Sequence, residues 1–307
     1  MAGTTAAEVP TAPLSTTGGS SSSALARVPM QVWISFGVVA ALLAALYFRV
    51  GVKLVTDWYN IPDYSHGFLV PLFSMYLLWD KREKIAATPI KGSWAGIPMV
   101  VVGLVLLIFG VYGVDLFTSR FSFIVLISGL VWAFCGWRML MEVKFPILVL
   151  LLAIPFPQLI FNQITFPLQL MASRVAAAIL PLLGVPTLQE GNVIQLPAMK
   201  LEVAEACSGI RSLMSLFTLA VFYGYFLERT TWRRVLLALA SLPIAVAANV
   251  ARIVGTGLCV QYWDPSKAVG FFHEFSGWVM FIVSLCLLYL AHKAIDLLTP
   301  AKTEVAA

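Results

Sequence analysis

The sequence predicts an all-α polytopic membrane protein of about eight transmembrane helices, with one short extracytoplasmic β-hairpin just before Cys207. Three observations predict it. Hydrophobic residues make up 60% of the 307 positions and charged residues only 11%, against about 25% charged in a soluble domain. Apolar runs of about 18 residues or more recur along the chain. The basic residues sit mainly in short loops between those runs, where they set membrane orientation. The net charge of +5 is therefore a topological signal, and it gives no support to nucleic-acid binding.

Residues 1–29 are rich in Ser, Thr, Ala and Gly, with Arg27 the one basic residue; they read as a disordered cytoplasmic tail and not as a cleaved signal peptide. A transmembrane domain is expected over 30–295 and a second cytoplasmic tail over 296–307. The first helix runs from about Met30 to Val50, followed by an aromatic, Pro-marked interfacial loop, Asp57–Tyr64. A shorter apolar stretch, His66–Trp79, stops at Asp80-Lys81-Arg82-Glu83-Lys84. Further helices are expected near Ala95–Tyr112, Phe117–Trp137 and Phe145–Phe161, the last containing Pro155 and Pro157.

In residues 162–183, Asn162, Thr165, Gln169 and Ser173 fall three or four apart and mark one polar helix face. The pattern fits a connector lying in the interface or a helix lining a polar cavity. Turn residues Glu190-Gly191-Asn192 and Leu196-Pro197-Ala198, with alternation over Lys200–Val203, predict a small hairpin leading into Cys207. The remaining helices are expected near Ser208–Leu227, Val235–Val254 and His273–Leu290, with Tyr262-Trp263-Asp264-Pro265 as a loop.

The short loop carrying Arg229, Arg233 and Arg234 is assigned to the inside. Alternation then puts Lys81, Arg82, Lys84, Lys91, Arg138, Lys144, Lys293 and Lys302 inside too, with both termini cytoplasmic. Cys207, Arg252 and His273 all fall at the outer face under this scheme, joined by His66 and the Trp58–Tyr64 loop.

That grouping has a chemistry. Cys207 is predicted at a helix N-terminus, where the helix dipole favours the thiolate. His273 is placed to take and return a proton. Arg252, charged at any relevant pH, suits a developing oxyanion. Together they fit acyl transfer through a thioester. Each residue also has a structural reading. Buried cysteines such as Cys135 and Cys286 are ordinarily inert packing, and arginines near helix ends (Arg120, Arg174, Arg211, Arg252) ordinarily reach to headgroups. An interfacial histidine, like His292 at the inner end, is ordinarily a satisfied polar residue. Cys259, also placed outside, leaves a disulfide with Cys207 as an alternative. The four cysteines show neither a CxxC pair nor metal-ligand spacing.

Four blocks, Asp63-Tyr-Ser-His-Gly-Phe-Leu-Val-Pro71, Glu205-Ala-Cys-Ser-Gly-Ile-Arg-Ser-Leu213, Asn249-Val-Ala-Arg252 and His273-Glu-Phe-Ser-Gly277, resemble the exosortase/archaeosortase family of integral membrane cysteine transpeptidases. The resemblance covers about residues 57–290, in family order. It implies Cys207 as nucleophile, Arg252 as oxyanion or substrate-carbonyl partner and His273 as acid/base, with neither cofactor nor metal. It further implies a substrate: an exported protein with a C-terminal sorting tail made of a motif such as Pro-Glu-Pro, a membrane span and a basic end. Cleavage would take place on the outer face of the cytoplasmic membrane, in the bacterial branch tied to exopolysaccharide and biofilm. Glu205, Ser208, Asn249 and His66 are expected to orient the site or bind the motif, although capping or an interhelical hydrogen bond accounts equally well for Glu205 and Asn249. The alternative from another class is a non-enzymatic polysaccharide export or assembly subunit that uses the polar face of 162–183 as a conduit.

Overall fold

The computed structural model describes residues 30–203, 209–263 and 271–299, with backbone alone at 31–33, 209–211 and 271–274. The expected tail 1–29 lies outside the described residues; of the expected tail 296–307, residues 296–298 are instead the end of the last described helix, and those from 300 on lie outside the described residues. The described residues fall into two units, one up to Phe48 and the other from Arg49 onward. The described part of the first is the opening half of helix α1 (Met30–Asn60). The second holds the rest of α1 and every other described element.

After α1 the helices of this second unit are α2 (Leu69–Asp80), α3 (Arg82–Ala87), α4 (Ile97–Tyr112), α5 (Leu116–Cys135), α6 (Trp137–Val149), α7 (Gln158–Ile179), α8 (Gly209–Leu227), α9 (Thr231–Tyr262) and α10 (Phe271–Leu298). Six described helical segments of the chain are long and apolar enough to cross a membrane, where about eight were expected. α2 and α6, with 12 and 13 residues, are too short alone, and Ser212–Leu227 is apolar but also short. The protein is thus a helical multi-pass membrane protein.

Three expectations are corrected here. The Asp57–Tyr64 loop is instead the end of α1 followed by a 3-10 turn, Pro62–Phe68. The helix expected at Phe145–Phe161 stops at Val149 and passes through a 3-10 turn, Leu150–Ala153, before the chain restarts as α7. The residues from Arg138 to Lys144, expected as a loop, are helical because the break falls earlier, at Gly136. There φ is 95°, a conformation only glycine adopts freely.

α6 nevertheless contains Pro146. Proline has no N–H, so the carbonyl of Glu142 loses its helical donor. Lys81 Nζ donates to that carbonyl at 2.9 Å, and Ser74 Oγ donates to the carbonyl of Pro146 at 2.8 Å. The proline is tolerated because Lys81, from outside α6, satisfies the carbonyl it strands.

α4 and α5 form a tight antiparallel pair. Gly96, Gly103 and Gly110, seven residues apart, face Ala133, Leu126 and Ser119. A methyl on Gly103 would lie 2.9 Å from the Leu126 Cα, so the backbones touch where lipid-embedded helices gain most from close packing. Asp115 caps α5, accepting from the N–H groups of Phe117 and Thr118 at 3.2 Å each. The Thr118 hydroxyl also donates to it, and these bonds hold its carboxyl below the usual range.

The polar stretch before Cys207 forms not one hairpin but a three-stranded antiparallel sheet in the order β1-β2-β3 (Leu188–Glu190, Val193–Gln195, Lys200–Glu202). Glu190 pairs with Val193 across Gly191, whose φ is 65°. The sheet buries Ile194 and Leu201 against Ala172 and Ala176 of α7, Leu180 of the 3-10 turn that follows it, and Ile253, Cys259 and Val260 of α9. This apolar cluster sits directly before the chain reaches Cys207.

Candidate active site

Helices α8, α9 and α10 fix the level of each candidate residue. Arg233 on α9 bonds Asp296 on α10 at 3.1 Å. The same number of residues further along both helices, Arg252 lies against Gly277: a methyl on Gly277 would be 3.7 Å from Arg252 Nη2 and 3.9 Å from its Cζ. The pair is antiparallel and in constant register. α8 and α9 behave likewise, with Gly224 against Arg234 at one end and Leu213 sharing a pocket with Ala245 at equal spacing. Carried on, that register sets Gly209, the first described residue of α8, level with Asn249.

The structure therefore brings the block Asn249–Arg252 together with the block His273–Gly277. Arg252 is buried, and Thr256 Oγ1 donates to its carbonyl at 2.9 Å. His273 stands in the first turn of α10, one turn beyond Gly277, with its backbone alone described. Glu205, Cys207 and Ser208 lie outside the described residues, as does the disulfide alternative for Cys207.

His66 has a different place. Its Nε2 is 3.2 Å from the Leu152 carbonyl, in a network that ties the Pro62–Phe68 turn to the segment after α6. Trp58 Nε1 donates to the Ala153 carbonyl at 2.8 Å, and the Tyr64 hydroxyl accepts from Phe156 N–H at 3.3 Å. A methyl on Gly67 would run into the Trp58 indole. Burial pushes the His66 ring pKa down, while the carbonyls of Leu152 and Asp63 pull it partly back. The Asp63–Pro71 block thus builds a wall packed on α8, and His66 is one of its fasteners.

Arg120, expected to reach headgroups, is instead buried and pairs with Asp57 at 2.5 Å, with Lys53 on the other carboxylate oxygen at 3.1 Å. At the far end of α8–α10 from Arg252, a second charged group forms a ring. His292 Nδ1 is 3.0 Å from Glu228 Oε1, and His292 Nε2 is 3.4 Å from Asp296 Oδ2. Arg233 Nη1 closes it, 3.5 Å from Glu228 Oε2 and 3.1 Å from Asp296 Oδ1. Glu228, His292 and Asp296 have the donor types for a metal ion, but the Arg233 guanidinium already bridges the two carboxylates, and the arrangement reads as an ion-pair ring. The i, i+4 spacing of His292 and Asp296 was its one trace in the sequence.

The family model described as transmembrane exosortase (Exosortase_EpsH) matches residues 58–290. The chain belongs to the transmembrane exosortase family. The match contains all four sequence blocks, so the place where Arg252 and Gly277 lie side by side is in the exosortase region proper. No curated protein and no solved structure matches the chain.

Proposed function

We propose that this exosortase is a membrane-embedded cysteine peptidase or transpeptidase that cleaves the C-terminal sorting tail of exported proteins at the outer face of the cytoplasmic membrane. The observation that carries the reading is the Arg252 guanidinium lying against Gly277, one helical turn from His273. This nearness supports the reading because it puts two of the blocks that the proposed acyl transfer would use at one level of the bundle.

In this mechanism the Cys207 thiolate attacks the scissile carbonyl carbon. Its proton is held by His273, and the oxygen, now negative, is bonded by Arg252. Collapse of the tetrahedral intermediate breaks the C–N bond. His273 then protonates the leaving amine, which stays on the membrane-spanning tail. Water or an acceptor amine resolves the thioester and restores the thiol.

The test is an immunoblot of a reporter carrying Pro-Glu-Pro, a membrane span and a basic end, co-expressed with wild type or Cys207→Ala. A size shift with wild type that is lost in Cys207→Ala is expected. A shift that survives the substitution removes Cys207 as nucleophile, and no shift with either protein favours the non-enzymatic export reading.

A further inference from the structure

Between α7, α8 and α9 lies a small pocket whose wall is apolar except for Thr165, Gln169 and Asn249. Thr165 and Gln169 come from the polar face that the sequence marks on α7. The Thr165 hydroxyl is already committed, donating to the Asn162 carbonyl at 3.4 Å. The buried Asn249 Oδ1 accepts no hydrogen bond among the described residues. A buried acceptor of this kind is costly until a donor reaches it.

The position of the pocket says which donor. Asn249 stands one turn before Arg252 on α9 and Ala245 a further turn back, towards the Arg233 end of the bundle. Leu213 lies one turn into α8 from Gly209. A chain rising towards Arg252 from the interior of the membrane passes this pocket first. A tail that unwinds from helix to present a cleavable bond also exposes main-chain N–H groups, which within a bilayer must be satisfied by protein.

We infer that the pocket is a subsite for the substrate's main chain on the membrane side of the cleaved bond, with Asn249 accepting a peptide N–H and Leu168, Leu213 and Ala245 packing against the adjacent side chain. The inference rests on the peptidase reading above and adds to it a recognition element that acts on backbone and not on the sorting motif.

The test uses the full-length protein in liposomes and synthetic tails of Pro-Glu-Pro, an apolar span and a basic end, N-methylated at one main-chain nitrogen at a time. With wild type, methylation at one position just past the motif slows cleavage about tenfold. Asn249→Leu is slowed by a similar factor and no longer distinguishes that tail from the unmodified one. Unchanged discrimination by Asn249→Leu overturns the subsite.

A second measurement does not depend on cleavage. A photo-crosslinking residue at position 168 in the Cys207→Ala variant is expected to capture the tail at residues C-terminal to the motif. Capture confined to the N-terminal side, or none while wild type cleaves, overturns the subsite. Capture as expected with no cleavage by wild type keeps the subsite and removes the peptidase reading. Neither capture nor cleavage removes both.

Discussion

The guanidinium of Arg252 lies beside Gly277 with room for one methyl group between them: a methyl added to Gly277 would be in ordinary van der Waals contact, 3.7 Å from Nη2. Gly277→Ala should therefore process the tailed reporter nearly as wild type does. Gly277→Leu must push the guanidinium aside and should lose about a hundredfold, since displacements of about 1 Å carry that penalty in positioned sites. Equal activity in the two variants would separate Arg252 from the chemistry.

Under the proposed mechanism, loss of Cys207, Arg252 or His273 should be complete and specific in its effect. Cys207→Ala and Cys207→Ser should abolish processing with membrane insertion intact, as should Arg252→Ala and His273→Ala. Arg252→Lys should also fail to restore it, because an ammonium lacks the planar fork of donors. Cys286→Ala, at an exposed position on α10, should be close to neutral in the same immunoblot.

Asp57 and Arg120 make a buried pair between α1 and α5. Removing one partner of such a pair costs about 3–5 kcal/mol, so Asp57→Ala should lower the thermal unfolding midpoint in detergent markedly. Lys53→Ala should cost under about 1 kcal/mol, because the Lys53 side chain is 53% exposed. Similar midpoints for the two variants would show that the buried pair does not hold α1 to α5.

The glycine seam between α4 and α5 makes a complementary prediction. Gly103→Leu should destabilise by about 1–3 kcal/mol or more, whereas Gly51→Ala, where nothing lies within 4 Å, should be neutral or stabilising. Thermal unfolding of the two variants under one condition is the check.

His66 adds a pH dependence. Its ring pKa is lowered from 6.5 by burial, so an unfolded chain takes up the proton first as pH falls. The stability linked to His66 is thus complete above pH 6.5 and declines as pH drops through 6.5 towards the folded value. His66→Gln should flatten that part of the curve of unfolding midpoint against pH. An unaltered slope would mean another group titrates there.

The apolar helices and the blocks at Asn249–Arg252 and His273–Gly277 were legible because each is a local signal: a run of sufficient length, or a few residues with one chemical role. The features that escaped reading depend on partners far along the chain. Arg120 looked like a headgroup arginine until Asp57 on another helix paired with it. The fifth helix was misplaced because Pro155 and Pro157 were read as tolerated and Gly136 was not read as a break. The structure reverses both, since tolerance of a proline depends on a donor supplied from elsewhere. The polar face on α7 was visible as spacing, but only the fold showed that Thr165 and Gln169 share a pocket with Asn249 while Asn162 is exposed. At Cys207 the candidate site stays as the sequence drew it, because that residue lies outside the described ones.

The hydrogen bond from Lys81 to the carbonyl that Pro146 strands has a consequence for how this protein can change over generations. The two positions, one in the turn between α2 and α3 and the other on α6, amount to a single inherited character. A lineage that loses Lys81 keeps a proline with nobody to answer for it, and one that exchanges Pro146 for a residue with an N–H sets Lys81 at liberty to become almost anything.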